Sequence, residues 1–515
     1  FASAANGTAP FRVVAVTGQQ APGLPSGTLF GSDFGSPAID STGRVAFRGT
    51  TGTNNSQGIW SNNAGALSLV AYKGQPAAGF GAGVTFSNFN FSTEVLYNDN
   101  QTMSFRGDVT GTGISASNNE CVWIHDTAGT TLAMREGTQA PGSPAGTNFT
   151  FFGGIQALNN QGMVVMESNF SGTPWGTGIF TSQGGISALV AREGQAPPGL
   201  PPEYGFSQSN WQFSPVINDN GVIAFSSSAT LPGDPQGTRR SGIWSTSSGT
   251  LAPLALNGEH PPGTEASVKF HQFSTDTQPS INRAGAIAFF ANLDGPTINS
   301  NNGYGIWSNR SGQLEQVIRT GSGFQTLAGG LIGGDGSIAF GAGGSLWLSR
   351  PDGALRSIAQ TGATAPGSSG TFQLFAGLTG NGSAPLISLN ASAQAAFGAR
   401  LTGIPSLTLN DGLWSWDPVS GMRSVVITGD SIQVSPGVFK TVSFSTFSLG
   451  NMSGGQDGRS RSLNDAGEFA WDVKFTDNTS AILVFAIPEP ATGILGLAIL
   501  MLLTRRQYRI RLARS

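Results

Sequence analysis

Polar and apolar positions recur in one pattern along the chain, and its clearest copy is Ser214–Phe225, SPVINDNGVIAF. The Ser-Pro-Val-Ile part predicts an extended segment, because the residue before a proline disfavours helix. The Asn-Asp-Asn-Gly part has the chemistry of a tight turn. The run Val222–Phe225 is β-branched and aromatic, which predicts a buried strand. Together these parts predict a β-hairpin.

The apolar strand of this hairpin returns about eight times, at a spacing of roughly 50 to 75 residues that signals a repeat array. The copies end at Phe47, Phe105, Met166, Phe225, Phe289, Phe340, Phe397 and Trp471. A second apolar signature such as Gly58–Trp60 follows each copy, and a third such as Leu69–Gly74 comes after it. Four short strands per repeat are the unit of a β-propeller blade.

The two ends of the array complement each other. Phe11–Gly18 has the pattern of a fourth strand, whereas the last repeat, Ser462–Phe485, lacks one. We expect Arg12–Val16 to pair beside Ala481–Phe485 and to close the ring, because closure removes open sheet edges. The predicted fold is therefore all-β, a β-propeller of eight four-stranded blades followed by a C-terminal hydrophobic helix. Seven blades are the alternative, because the sixth repeat is short and the seventh and eighth are irregular.

The repeat residues resemble two known patterns. Pro-x-Ile-Asn-Asp-Asn-Gly-x-Ile-Ala-Phe followed by Gly-Ile-Trp is similar to the blade of TolB-type propellers and to the NxxGxxAF repeats of bacterial surface proteins. The turn departs from the TolB pattern, because it is usually Asn-x-x-Gly rather than Asp-Gly. Both resemblances span most of residues 11–485. They imply the ring architecture and no particular activity.

The end of the chain follows a different pattern. Pro488, Glu489 and Pro490 precede the apolar run 491–503. As a helix this run would span about 20 Å, less than the ~30 Å core of a bilayer, so it is a marginal membrane span. A basic cluster follows, made of Arg505, Arg506, Arg509, Arg511 and Arg514. Such a flank predicts a cytoplasmic C-terminus and a ring on the outer side.

Pro-Glu-Pro, an apolar helix and terminal arginines resemble the PEP-CTERM sorting signal of Gram-negative bacteria. The resemblance implies that an exosortase, a membrane-embedded transpeptidase, recognises the Pro-Glu-Pro motif, with the basic cluster as the membrane stop. It also implies export, a transient anchor in the inner membrane, and final display at the cell surface or in the matrix, often with exopolysaccharide. The segment after the arginines is longer than the family pattern. An ordinary membrane anchor is the alternative.

Three parts of the chain are therefore expected. Residues 1–10 are a signal-peptide remnant or a flexible terminus, since Ala2-Ser3-Ala4 has the small-x-small form of a cleavage site. Residues 11–486 form the propeller, and residues 487–515 form the sorting signal with its transmembrane helix.

Composition narrows the classes of function. Only 11% of the residues are charged, against a usual ~25%, so the surface is built from small polar residues, as suits an extracytoplasmic protein. A net charge of −3 gives no basic footprint for nucleic acid. The chain has one cysteine, Cys121, which allows no intrachain disulfide and which we expect to be buried.

The sequence contains no recognisable catalytic constellation. The three histidines, His125, His260 and His271, have no metal-binding spacing, and only the last two could approach each other. Neither a nucleophile elbow nor a phosphate loop is present. Turns such as Asn218–Gly221 lack the acids of a calcium loop. No metal and no cofactor are therefore expected.

Candidate ligand contacts lie on the face formed by the loops after the second and fourth strands of each repeat. They are Arg135, Glu136, Arg192, Glu193, Arg239, Arg240 and His260. Loops carry function more often than strands do. The alternative is that the Ala-Pro-Gly loops are stiff spacers and that the Arg-Glu pairs are surface ion pairs.

These observations favour a non-enzymatic binding or structural protein of the envelope or matrix. Its expected partners are an exosortase, the membrane through the tail, and extracellular polysaccharide. The alternative is a secreted glycosidase or lyase, which two carboxylates about 5–10 Å apart in a central pocket would support. A mouth lined by Ser, Asn and Gly would support a binder. A membrane-retained sensor ectodomain is a third interpretation.

Overall fold

The structure is a computed structural model. It describes residues 10–52, 56–63, 65–89, 95–153, 157–171, 176–207, 215–233, 239–273, 278–378, 381, 387–404, 411–443 and 453–487. These ranges contain 39 β-strands and no helix, which confirms the all-β prediction. The predicted C-terminal helix, the Pro-Glu-Pro motif and the basic cluster lie outside the described residues.

The first strand of the chain, β1 (Phe11–Val16), belongs to the last blade. The next twenty strands form blades 1 to 4. Their bounds are β2 (Phe30–Phe34), β3 (Ala38–Ile39), β4 (Val45–Thr51), β5 (Ser56–Ser61), β6 (Ser68–Tyr72), β7 (Val84–Asn88), β8 (Leu96–Tyr97), β9 (Met103–Gly111), β10 (Glu120–Asp126), β11 (Gly129–Arg135), β12 (Phe149–Phe151), β13 (Ala157–Leu158), β14 (Val164–Phe170), β15 (Gly176–Gln183), β16 (Ile186–Arg192), β17 (Gly205–Ser207), β18 (Val216–Ile217), β19 (Ile223–Thr230), β20 (Arg240–Ser245) and β21 (Ala252–Leu256).

The remaining strands form blades 5 to 8 and one additional hairpin, β36–β37, between blades 7 and 8. Their bounds are β22 (Lys269–Gln272), β23 (Ser280–Ile281), β24 (Ile287–Asp294), β25 (Tyr304–Ser308), β26 (Glu315–Arg319), β27 (Leu327–Ile332), β28 (Ile338–Ala342), β29 (Ser345–Ser349), β30 (Leu355–Ala359), β31 (Thr371–Phe375), β32 (Ile387–Leu389), β33 (Ala395–Thr402), β34 (Asp411–Asp417), β35 (Gly421–Ile427), β36 (Ser431–Ser435), β37 (Val438–Thr441), β38 (Glu468–Lys474) and β39 (Ser480–Ala486).

The innermost strand of most blades is made of two pieces. In blade 1, β2 pairs with the end of β4 (Phe30 opposite Thr51), whereas β3 pairs with its start (Ile39 opposite Val45). Strands β5 and β6 follow outward. Blades 2 to 5 and 7 repeat this plan, and blade 6 has the single inner strand β27. The sequence predicted only the second piece, because the first has no Pro-x-Ile-Asn signature.

The N-terminal strand closes the ring as predicted. Strand β1 pairs antiparallel with β39, with Arg12 opposite Val484 and Val16 opposite Ala481. Strand β39 in turn pairs with β38. The eighth blade therefore takes its outer strand from the start of the chain, and the prediction of eight blades is confirmed.

Two faces of the ring are distinguished below. The turn face carries the turns between the first and second strands of each blade, such as Asn218–Gly221. The loop face carries the loops that follow the second and fourth strands. Aromatic stacking within the blades links the repeat signatures: Phe47 stacks on Trp60 (6.3 Å between ring centroids) and Phe225 on Trp244 (6.2 Å).

The tryptophan of the Gly-Ile-Trp signature holds the Ala-Pro-Gly loop. Trp60 Nε1 donates to the Pro22 carbonyl (3.1 Å). The same bond links Trp123 to Ala78, Trp244 to Pro198, Trp307 to Pro262 and Trp414 to Pro366. Gly23 has φ +80°, and a Cβ there would lie 2.6 Å from Leu69 Cβ, so the loop needs glycine at this position. These contacts support a structural role for the loop.

A ring of asparagine side chains joins the blades at the turn face. Asn98 Nδ2 donates to the Asn159 carbonyl (2.8 Å), and Asn159 does the same to Asn218 (3.1 Å). The series continues from Asn218 to Asn282, Asn282 to Gly333, Asn390 to Asn464 and Asn464 to Asp40. In six of the eight blades the turn thus bonds the next blade through its amide, which explains why the turn begins with asparagine.

Gly333 in blade 6 and Asp40 in blade 1 have no side-chain amide for this bond. At these two joints the ring is reinforced by residues 453–462, here called the inner segment, which run around the inside of the ring. Four carbonyls of the inner segment accept hydrogen bonds from backbone N–H groups on the inner strands. The donors are Leu389 in blade 7, Ile217 in blade 4, Leu158 in blade 3 and Ile39 in blade 1.

Two side chains of the inner segment lie at the joints without asparagine. Arg461 Nε donates to the Ile39 carbonyl (2.9 Å), and its Nη2 bonds Asp99. Gln456 Nε2 lies beside Gly334, where a Cβ would come within 2.5 Å. This segment was not predicted from the sequence, because Gly, Ser and other polar residues are typical of a surface loop.

Candidate functional site

The first piece of the inner strand carries a Phe-x-x-Phe pattern that repeats between blades. The pairs are Phe86 and Phe89, Phe149 and Phe152, Phe270 and Phe273, and Phe372 and Phe375, with ring centroids 5.2 or 5.3 Å apart. Blade 1 has three residues between Phe30 and Phe34, whose rings lie 5.5 Å apart. All these rings are buried, so they fix the backbone between them.

The residue before the second phenylalanine varies from blade to blade. In five blades it is Asp33, Asn88, Phe151, Gln272 or Leu374, and these residues are here called the inner rim. Phe151 is 46% and Leu374 44% exposed, and the Asp33 side chain is 47% exposed. A variable exposed position on a repeated rigid scaffold is where a binding function is expected.

Polar side chains stand opposite the inner rim on the second strand of each blade. The cross-strand pairs are Asn88 with Asp108, Phe151 with Asn169, Gln272 with Asn292 and Leu374 with Arg400. Asn88 Nδ2 donates to Asp108 Oδ2 (3.3 Å). The inner rim therefore places two apolar side chains among amides, carboxylates and an arginine.

Four consecutive blades have a charged residue directly after the aromatic or apolar end of the second-strand signature. They are Asp472, Arg48, Arg106 and Glu167 in blades 8, 1, 2 and 3. Blades 4 to 7 have Ser226, Phe290, Gly341 and Gly398 at this position. Withdrawing an ion from water costs several kcal/mol. Blades 4 to 7 fold without a charged residue at this position. The fold alone does not account for these charges.

One charged cluster lies at the seam between blades 8 and 1. Arg48 Nη1 is 3.7 Å from Asp33 Oδ2, and Lys474 Nζ is 3.9 Å from Asp472 Oδ2. Burial raises the pKa of Asp472 to about 7, with Lys474 opposing the shift and Asp33 adding to it. A carboxyl group in this setting titrates near neutral pH.

A second charged cluster joins blades 2 and 3. Arg106 Nε lies 3.3 Å from Glu120 Oε1, and Glu120 Oε2 accepts the Phe152 N–H (2.8 Å). Arg106 Cζ is 5.8 Å from the centroid of the Phe151 ring. Burial raises the pKa of Glu120, although the Phe152 N–H and Arg106 oppose it.

The turn-face end of the axis holds a pair of carboxylates of another kind. Asn160 Nδ2 donates to Asp99 Oδ2 (3.3 Å) and to Asp219 Oδ2 (2.9 Å). Arg283 Nε pairs with Asp219 (2.9 Å) and Arg461 pairs with Asp99. Burial acts to raise the pKa of Asp99, but Arg461 and the Ser41 N–H outweigh it, so the pKa is lowered. A general acid needs a raised pKa, so Asp99 is suited to holding blades together rather than to acid catalysis.

The structure places the predicted Arg-Glu pairs in local bonds. Arg135 Nε donates to the Asn118 carbonyl (3.0 Å), and its guanidinium lies 4.8 Å from the Phe80 ring centroid. Glu136 Oε2 accepts the Glu120 N–H at the start of β10 (3.3 Å). Burial raises the pKa of Glu136. Arg192 and Glu193 repeat this position in blade 3, where Glu193 Oε2 accepts the Thr177 N–H (3.3 Å).

The other predicted contacts lie apart from these pairs. Arg239 donates from Nε and Nη2 to Ser228 Oγ (3.0 and 2.8 Å). Arg240 begins β20, beside Gly258. His260 Nδ1 bonds the Val268 carbonyl (3.1 Å), whereas His271 lies on β22, among the residues between two phenylalanines.

Sequence reasoning missed the inner rim and the charged residues behind it. Two signals could have found them: the Phe-x-x-Phe pattern that precedes several of the hairpins, and the change from apolar to charged residues after the second-strand signature. Within the described ranges, no group of three or more His, Cys, Asp or Glu side chains could hold a metal ion. The same ranges contain no helix with the length and apolarity to cross a membrane.

The chain was compared with known protein families. The model of DUF7453, described as a family of unknown function, matches residues 3–335 and again 325–494. The chain belongs to the DUF7453 family. The two matches together cover the whole ring, as two runs of similar blades would. A comparison of this DUF7453 chain with curated proteins gives no match.

Several solved structures are similar to this DUF7453 protein. The extracellular domain of a putative hybrid two-component system from B. thetaiotaomicron is 12% identical, with a TM-score of 0.30 over 81% of this chain and 46% of that one. Trypanosoma rangeli sialidase is 11% identical (TM-score 0.28, 94% and 98% covered). Penicillium chrysogenum α-L-arabinanase is 10% identical (TM-score 0.25, 67% and 94% covered). The chain spans about half the length of the first of these structures.

Two of these three structures are glycosidases, and this overturns the prediction that the DUF7453 chain is not an enzyme. That prediction relied on the lack of a catalytic motif in the sequence. At 10–11% identity and TM-scores of 0.25–0.28, this similarity assigns no reaction to the chain.

Proposed function

We propose that this protein is exported and acts outside the cytoplasm, in the cell envelope or the extracellular matrix. Its tail would be recognised by an exosortase at Pro488, Glu489 and Pro490, and its ring would bind extracellular polysaccharide. The observation that carries this proposal is the order of the tail: a Pro-Glu-Pro motif, an apolar run and an arginine cluster, directly after the last blade.

The way in which the chain leaves the ring supports a separate role for the tail. Strand β39 ends at Ala486, whose N–H donates to the Pro10 carbonyl (2.7 Å). The Ile487 N–H donates to the Gly467 carbonyl (2.7 Å), and Ile487 is 4% exposed. These contacts of residues 486 and 487 help to close the ring. Cleavage beyond it would leave them intact.

The same contacts suggest how the ring would stand on a membrane. Gly467 belongs to a turn of the turn face, so β39 ends at that face, and β1 begins beside it. A tail held in the bilayer would therefore bring the turn face toward the membrane. The loop face and the inner rim would point outward, where a polysaccharide can reach them.

The mass of the mature protein, purified from a host that contains an exosortase, tests the proposal. We expect the wild-type chain to lack the apolar and arginine segment. A triple substitution of Pro488, Glu489 and Pro490 by alanine should retain the full tail, because the recognition motif is gone.

A matched control is the triple alanine substitution of Pro201, Pro202 and Glu203, which removes the same residue types from a loop of the ring. It should be processed like the wild type. A wild-type chain that keeps its tail in this host would disprove sorting by an exosortase.

A further inference from the structure

We propose that the inner rim between blades 2 and 3 binds a neutral polysaccharide chain, with Phe151 as the platform on which one sugar ring stacks. This proposal specifies the ligand class of the proposed function. It rests on that function, because the proposed export and tail orientation bring the loop face to extracellular glycans.

The first argument is the exposure of Phe151. Its neighbours Phe149 and Phe152 are buried in the blade core, whereas Phe151 is 46% exposed. A Cβ on Gly153 would overlap the Phe151 ring, so this glycine allows the ring to lie across the backbone. A partly exposed aromatic ring can pack on the apolar face of a sugar.

The second argument is the rigid polar surroundings of the ring. The guanidinium of Arg106 lies 5.8 Å from the Phe151 ring centroid and is held by Glu120 (3.3 Å). Glu120 is in turn held by the Phe152 N–H of the next blade (2.8 Å). Donors and acceptors fixed on strands are suited to sugar hydroxyls, because little side-chain entropy remains to be lost on binding.

The third argument comes from the comparison between blades. The position of Arg106 holds Ser226, Phe290, Gly341 and Gly398 in blades 4 to 7. An ion that is 5% exposed carries a desolvation cost that those blades avoid. A ligand that uses the arginine and its carboxylate partner would explain why blade 2 keeps them.

The charges around the site favour a neutral sugar over an acidic one. Arg106 already faces Glu120, and both Asp108 and Glu136 lie close enough to act on the Glu120 carboxyl group. Arg135 lies close enough to act on the neighbouring Cys121 thiol, so three carboxylates stand against two cations in this cluster. A uronate chain would be repelled, whereas hydroxyl groups can bond both charged partners.

Affinity electrophoresis of the full-length chain tests the proposal. Native gels would contain galactomannan, mixed-linkage β-glucan, dextran or polygalacturonate, with a detergent that carries no sugar headgroup. We expect at least one neutral polysaccharide to retard the wild-type chain. Phe151→Ala should weaken that retardation at least tenfold in apparent affinity, and Phe151→Trp should preserve it.

The matched control is Phe439→Ala. Phe439 is also an exposed phenylalanine (57%), but it lies on β37, outside the inner rim, and its substitution should change nothing. Equal thermal unfolding of the variants would show that each is folded.

Three results would overturn the proposal: retardation by polygalacturonate alone, by none of the neutral gels, or equally for Phe151→Ala and the wild type. None of them depends on processing of the tail. The gel result and the mass of the mature protein can therefore fail separately.

Discussion

One largely buried carboxyl group, that of Asp472, makes this ring sensitive to pH. Burial raises the pKa of Asp472 from 3.8 to about 7 at the seam between blades 8 and 1. The folded chain therefore holds this proton more tightly than the unfolded chain. The stability contributed by this proton is fully present below about pH 4 and is lost as the pH rises toward 7. A shift of this size corresponds to at most about 4 kcal/mol.

Asp472→Asn should remove this pH dependence, because the amide cannot ionise. We expect the wild-type melting temperature to fall between pH 4 and pH 7 relative to that of the variant, as measured by circular dichroism. Asp477→Asn is the control. In the wild type, the Lys440 hydrogen bond lowers the pKa of Asp477 to about 2. The stability that this carboxylate contributes is therefore lost only in stronger acid. Parallel pH profiles for the wild type and Asp472→Asn would contradict the assignment.

At the scale of the elements, the turns between the first and second strands are joints between blades. Asn218 shows this twofold role. Its Oδ1 accepts the Asn220 and Val222 N–H groups of its own turn (3.0 and 2.9 Å), while its Nδ2 donates to the Asn282 carbonyl (3.0 Å). Asp at this position keeps the acceptor and loses the donor, as Asp40 does in blade 1.

We expect Asn218→Asp to destabilise the ring by about 1–3 kcal/mol, because a buried carbonyl loses its donor. Asn220→Asp is the matched variant. Asn220 Nδ2 bonds the Arg283 carbonyl (2.9 Å) at an exposed site, where water can replace it, and its cost should be well below 1 kcal/mol. Urea unfolding measures both. Equal losses would show that the buried amide has no special role.

At the scale of the whole molecule, the pairing of β1 with β39 keeps the ring closed. Removal of residues 1–17 takes away β1 and exposes the edge of β39, whose residues 481–485 are all buried in the closed ring. Open apolar edges pair with other chains. We therefore expect this truncated chain to aggregate and to be cut rapidly by protease.

Removal of residues 1–9 is the control for this deletion, since it leaves β1 in place. Light scattering and limited proteolysis in the same detergent compare the two chains. A monomeric, protease-resistant chain without residues 1–17 would show that β1 is dispensable.

The sequence allowed the ring to be predicted because each blade repeats the same signatures in the same order. The Asn-x-x-Gly turns, the Ile-Ala-Phe strands and the unpaired ends led to eight blades and to closure by Arg12–Val16. The first piece of the inner strand was missed because segments of different length separate it from the second piece. The inner rim was missed because its residues have the same position in each blade but different chemistry, as Asp33, Phe151 and Leu374 show.

The inner segment limits how a ring of this kind can evolve. Its carbonyls meet Leu389, Ile217, Leu158 and Ile39 in turn, so its length is matched to the circumference of eight blades. Duplication or loss of one blade would move at least one of these partners out of reach. The rim residues are free to diverge toward new ligands, but the number of blades is locked by the segment at their centre.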